Sequence, residues 1–126
     1  MHTLIAVALG GAVGAIGRYL AMSAVGSWLG SGFPWATFAV NLIGSFILGA
    51  ILESSALYWS PPADLRTFLV VGMMGAFTTF STFSMDSYYL IERGEVGAAA
   101  AYVGGSVVLC ILGFWGAIAA LRHLHG

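Results

Sequence analysis

Four long apolar runs divide the chain, each long enough to cross a bilayer, which takes about 20 mostly apolar residues. They extend from about Thr3 to Leu29, Pro34 to Leu52, Leu65 to Ile91 and Val96 to Leu121. The connections are short. Gly30-Ser31-Gly32 precedes Pro34, a good first-turn residue for the second run. Ser60-Pro61-Pro62 breaks the chain, and Asp64 is expected to cap the third helix. Arg93-Gly94-Glu95 forms a polar turn into the fourth run. Trp28, Trp35, Tyr58, Trp59, Tyr88 and Tyr89 fall near the expected ends, where interfacial aromatics belong. No Lys or Arg precedes the first run and Arg18 interrupts it, so it reads as a span and not as a signal peptide. The expectation is an all-α integral membrane protein whose residues 1–126 form a single domain of four transmembrane helices.

One stretch departs from the apolar pattern. In Gly75-Ala76-Phe77-Thr78-Thr79-Phe80-Ser81-Thr82-Phe83-Ser84, inside the third span, five of ten residues carry hydroxyls. At membrane depth such groups need partners or a wet path. Phe80 and Phe83, three apart, share one helix face. An aromatic ring has a positive edge, so ring edges and hydroxyl donors together can hold a small anion without a fixed positive charge. The plainer alternative is rings that pack and hydroxyls that bond back to the preceding turn. Gly72, Gly75 and the β-branched Thr78-Thr79 pair also weaken the helix. The third helix is therefore expected to break at mid-membrane near Gly75, freeing the Gly75 and Thr78 carbonyls, and carbonyl oxygens suit a hard cation such as sodium.

Composition agrees with the pattern. The chain is 60% hydrophobic and 7% charged, against about 25% charged in a soluble domain. A net charge of -1 and the lack of lysine argue against nucleic acid and anionic lipid patches. A single cysteine, Cys110, excludes an intrachain disulfide. With four spans both termini face one side, which Arg66 and Arg122 mark; Arg93 marks the other and Arg18 lies in the far half of helix one. The positive-inside rule then has almost nothing to act on. Insertion in both orientations, giving antiparallel pairs, is the sharper expectation; one-way insertion of a protein with few arginines is the other. Four helices alone pack solid, so oligomerisation is also expected on geometric grounds. Stripes of small residues predict close helix contact: Gly10, Gly14 and Gly17; Gly44, Ser45 and Gly49; Ala100, Gly104, Gly105, Gly113 and Gly116.

Few other residues offer chemistry. Asn41 lies mid-span, where its amide can offer donors to an anion or staple helices together. Arg18, costly at that depth, can snorkel, line a vestibule or anchor helix one to carbonyls. Glu53, Asp64, Glu92 and Glu95 fall at span ends and are expected to be solvated, and Asp86 lies just beyond the hydroxyl-rich stretch. Tyr102 and Ser106, four apart, share a face and with Thr82 can continue a polar line. No acid–base pair, nucleophile–base arrangement or ligand cluster suggests an enzyme.

Gly75 to Ser84, with Asn41 in its Thr-x-x-x-Asn context and Arg18 after Gly14 and Gly17, resembles the Fluc/CrcB family of bacterial fluoride channels, across all four spans. The resemblance implies a passive fluoride-selective channel of the bacterial inner membrane, an antiparallel dual-topology homodimer with two pores. It assigns Phe80 and Phe83 to the pore and Asn41 to the helix-two asparagine. It places Thr79, Ser81, Thr82, Tyr102 and Ser106 in or near the ion pathway, and Arg18 at the helix-one arginine. The Gly75 and Thr78 carbonyls of both subunits would hold a structural Na+ at the dimer centre. Cys110 stands where some members carry serine, which weakens the polar track because a thiol is a poor donor. Asp86 stands where others have Glu. A small dual-topology multidrug or cation exporter is the alternative, but helix one has no acid for proton exchange. A membrane assembly subunit without transport is a third reading.

Overall fold

A computed structural model describes residues 2–125, and no strand occurs among them. Helix α1 spans His2–Leu29 and α2 spans Trp35–Leu57. The third span is composite. It starts as α3 (Ala63–Thr67), widens into a π-helical stretch (Phe68–Met74), and ends in the single turn α4 (Gly75–Phe77). After a break it resumes as α5 (Phe80–Glu92), and α6 (Val96–His125) completes the molecule. Four helical segments are long and apolar enough to cross a membrane: α1, α2, Ala63–Glu92 and α6. All four exceed the expected spans at one end or both.

Two close seams hold the segments together. In the first, α1 lies against the π-helical stretch. A Cβ on Gly10 would strike the Phe68 carbonyl, and one on Gly14 would strike the Met73 carbonyl. The helices meet backbone to backbone, which only glycine permits at this distance. In the second seam α2 runs beside α6. There a Cβ on Gly49 would come within 2.6 Å of the Phe114 carbonyl oxygen, and one on Gly113 within 3.1 Å of Leu42. The small residues of the first two helices thus serve contact inside the chain. On α6, a Cβ on Gly97, Gly104, Gly105 or Gly116 would meet nothing within 4 Å among the described residues. Only 11–22% of each span's most apolar window is buried by the protein itself; lipid or another chain must cover the rest.

Polar clasps close both ends. Arg93 Nε donates to Glu95 and its Nη2 to the Gly32 carbonyl, tying the α5–α6 turn to the α1–α2 turn. At the opposite end Arg122 Nε donates to Glu53 Oε2. Glu53 is therefore not solvated as expected from its place at a span end; it is 7% exposed. Helix α2 runs to Leu57, one turn beyond the expected limit, and this places Glu53 inside the seam with α6. Asp64 also differs from expectation. Pro62 occupies the N-cap of α3, and Asp64 sits exposed in the first turn.

Candidate functional site

The third span breaks at Thr78–Thr79, three residues later than Gly75 itself, which remains helical. Thr78 (φ -89°, ψ 158°) and Thr79 (φ -149°, ψ 114°) are extended. A threonine pair suits this conformation, since branching at Cβ disfavours helix and favours strand geometry. Thr79 restarts the helix as N-cap of α5, its Oγ1 accepting from the Thr82 N–H at 3.1 Å. Gly44 of α2 gives the break its room, because a Cβ there would strike the Thr78 methyl group.

Two polar side chains occupy backbone groups that the break releases. Thr79 N–H would reach the Gly75 carbonyl in a continuous helix. It donates instead to Asn41 Oδ1 at 2.7 Å, while Asn41 Nδ2 donates to the Thr79 carbonyl at 3.0 Å. Arg18 Nε donates to the Ala76 carbonyl at 3.1 Å, so of its three expected roles it fills that of the anchor for α1. The carbonyls of Gly75 and Thr78 lose their helical donors, since Thr79 N–H turns to Asn41 and Thr82 N–H to the cap. The freed carbonyls expected from the sequence are thus present, although Gly75 is not the point of rupture.

Beside the break lies a cavity of about 340 Å³ between α2, α5 and α6. Asn41, Thr79, Phe80, Phe83 and Ser106 line it, joined by Ser45 and Cys110. The Phe80 and Phe83 ring centroids are 5.5 Å apart, as their spacing on one helix face predicted. Phe83 is nearly buried, and Phe80 is 78% exposed on a side that nothing in the chain covers. One Nδ2–H of Asn41 remains for the cavity after the bond to Thr79. Ser106 Oγ is buried with no hydrogen-bond partner among the described residues. Two phenylalanine rings, an amide and two serines therefore line one space with no ionisable side chain except the Cys110 thiol. Such a lining suits a small anion that must shed water without being trapped by a full charge.

Thr78 also borders this cavity, whereas Ser81, Thr82 and Tyr102 sit outside it. Tyr102 is buried against Phe83, ring centroids 5.1 Å apart, and its hydroxyl donates to Asp86 Oδ2 at 3.1 Å. Thr82 and Asp86 line a second cavity, about 370 Å³, which Thr37 and Arg93 also border near the α1–α2 turn. Thr79 Oγ1 links the two groups, donating to Thr82 Oγ1 at 3.0 Å and standing 3.3 Å from the exposed Ser81 Oγ. The plainer reading of the hydroxyls holds for Thr78 and Ser84, which bond back to Met74 and Phe80. Ser45, expected from its small-residue stripe to serve helix packing, lines the cavity instead. Its spacing of four from Asn41 was the signal that it faces the same way.

The comparisons with known proteins agree with this architecture. The family model for CrcB-like protein, Camphor Resistance (CrcB), matches residues 5–118. A protein of Rhodospirillum centenum named "Fluoride-specific ion channel FluC" is 48% identical over 97% of each chain. One of the same name from Nitrobacter winogradskyi is 53% identical over 86% of each. Another, from Geobacter sulfurreducens, is 44% identical over 98% of this chain and 100% of its own. The broken third span, the phenylalanine pair and the asparagine at the break thus belong to a protein of the CrcB-like family.

Proposed function

We propose that this protein is a passive, fluoride-selective channel of the bacterial inner membrane. The observation that carries the reading is the donor-lined cavity beside the break, where Phe80, Phe83, Asn41 and Ser106 converge without a fixed positive charge. Relatives named as fluoride-specific channels over nearly the whole chain length support it. Ring edges and neutral donors stabilise an anion enough to replace part of its hydration, yet weakly enough to release it. Within the pathway Phe80 and Phe83 flank the ion, Asn41 and Ser106 donate to it, and Thr79, Ser81, Thr82 and Tyr102 extend the polar line toward the second cavity. Export of cations is disfavoured, since α1 carries no acidic residue.

The working unit in this reading is an antiparallel homodimer with two pores. Three observations support it: the thin self-burial of the spans, the unpartnered glycines of α6, and the exposed Phe80 ring. A structural sodium at the dimer centre fits the residues present. The Gly75 and Thr78 carbonyls lack helical donors, and oxygens of this type suit a hard monovalent cation. Two such carbonyls from each copy would hold it as a link between subunits.

Efflux from liposomes containing the purified protein tests the reading. Fluoride should leave rapidly and chloride slowly under the same gradient. Equal rates for both ions, or no fluoride efflux, would refute it.

A further inference from the structure

We propose that Ser45 coordinates the ion, as a further donor on α2 one turn beyond Asn41 in the cavity that holds the phenylalanine pair. This rests on the fluoride-channel reading above. Asn41 and Ser45 are four apart on α2; Ser106 and Cys110 are four apart on α6. Residues at that spacing share a helix face, and all four line the cavity that holds Phe80 and Phe83. The cavity is thus walled on two helices by paired polar groups.

Among the described residues, neither Ser45 nor Ser106 spends its hydroxyl on a local backbone bond, and both face the cavity. A helical serine ordinarily donates to a carbonyl three or four residues earlier. Ser54, Ser55, Ser84 and Ser87 all do so, at 2.8–3.2 Å. Ser45 and Ser106 make no such bond among the described residues, and Ser106 Oγ is buried with no partner. A buried hydroxyl left unpaired is unfavourable, so the cavity must supply something to bond. Ser45 lies beside the Cys110 thiol. Because a thiol is a weak donor, the Ser45 O–H is the strong donor at this level. The glycine contacts of Gly49 and Gly113 hold α2 against α6, which fixes the distance across which an anion would be shared.

The experiment is fluoride efflux from liposomes containing full-length protein, with dimer assembly checked by size-exclusion chromatography. Ser45→Ala should slow efflux about tenfold, the rate equivalent of one hydrogen bond to a charged group. Ser45→Cys, which keeps the volume but weakens the donor, should act in the same direction. Adding Cys110→Ser to Ser45→Ala should bring efflux back to within about threefold of the unsubstituted protein, a coupling that only neighbouring groups show. Unchanged efflux in Ser45→Ala would overturn the proposal and leave water as the partner of Ser106. A loss that Cys110→Ser does not restore would also overturn it, because a packing defect behaves that way. No efflux from the unsubstituted protein would instead refute the channel reading itself.

Discussion

Asn41 places both ends of its amide on Thr79 and still has one N–H left for the cavity. Staple and anion donor, alternatives in the sequence, are therefore compatible in one side chain. Its substitutions should separate the two roles. Asn41→Ala removes both bonds and leaves two part-buried backbone groups unpaired, at about 1–3 kcal/mol each. A lowered unfolding temperature in detergent, together with lost flux, is the expected result. Asn41→Asp keeps an acceptor for the Thr79 N–H but adds negative charge beside the anion path. Flux should fall while more of the stability survives. Phe80→Ile or Phe83→Ile keeps apolar bulk and removes the ring edge, so fluoride efflux should drop at least about tenfold with the dimer intact. Unchanged flux in both would remove the rings from the pathway. The ring pair was legible because i, i+3 spacing is local. Asn41's partner was not, because Thr79 lies 38 residues away in sequence.

At the scale of elements, the break itself was legible from two glycines followed by paired threonines. Its exact place was not. Helix propensity puts the weakness at Gly75, but the outcome depends on Asn41 and Arg18, which reach the released groups from other helices. The π-helical stretch left no local signal in the sequence either; Gly10 and Gly14 pack against it from α1. The Glu53–Arg122 clasp was hidden by a helix end one turn longer than hydropathy indicated. Arg122→Gln leaves the buried Glu53 carboxylate without its cation and should destabilise the protein. Because the arginine is 69% exposed, solvent screening limits the loss to about 1 kcal/mol. Thermal unfolding should show Glu53→Gln, which removes the buried charge, to be milder. The reverse order would mean the clasp contributes through packing alone.

For the whole molecule, the number of spans and their order could be read from hydropathy, and the polar turns closed them as expected. Orientation follows from four arginines. Arg66 and Arg122 lie toward one end, bonded to Ser55 and Glu53, while Arg93 lies at the other, bonded to Gly32. A C-terminal tag should therefore be reachable from both faces of the membrane. Two arginines added after His125 should bias insertion to one face and abolish function when that variant is expressed alone. Labelling of the unmodified protein from a single face would contradict this. The interruption at Thr78–Thr79 has one more effect on this scale. It turns one span into two half-helices whose opposite ends meet inside the bilayer: the carboxyl end of Ala63–Phe77 and the amino end of Phe80–Glu92. Each end of a helix behaves as roughly half an elementary charge, negative at the first and positive at the second. Two residues of extended backbone thus set a negative and a positive helix end side by side. Peptide dipoles carry no proton to gain or lose, so a site built on them keeps its polarity through changes of acidity that would discharge histidines or carboxylates.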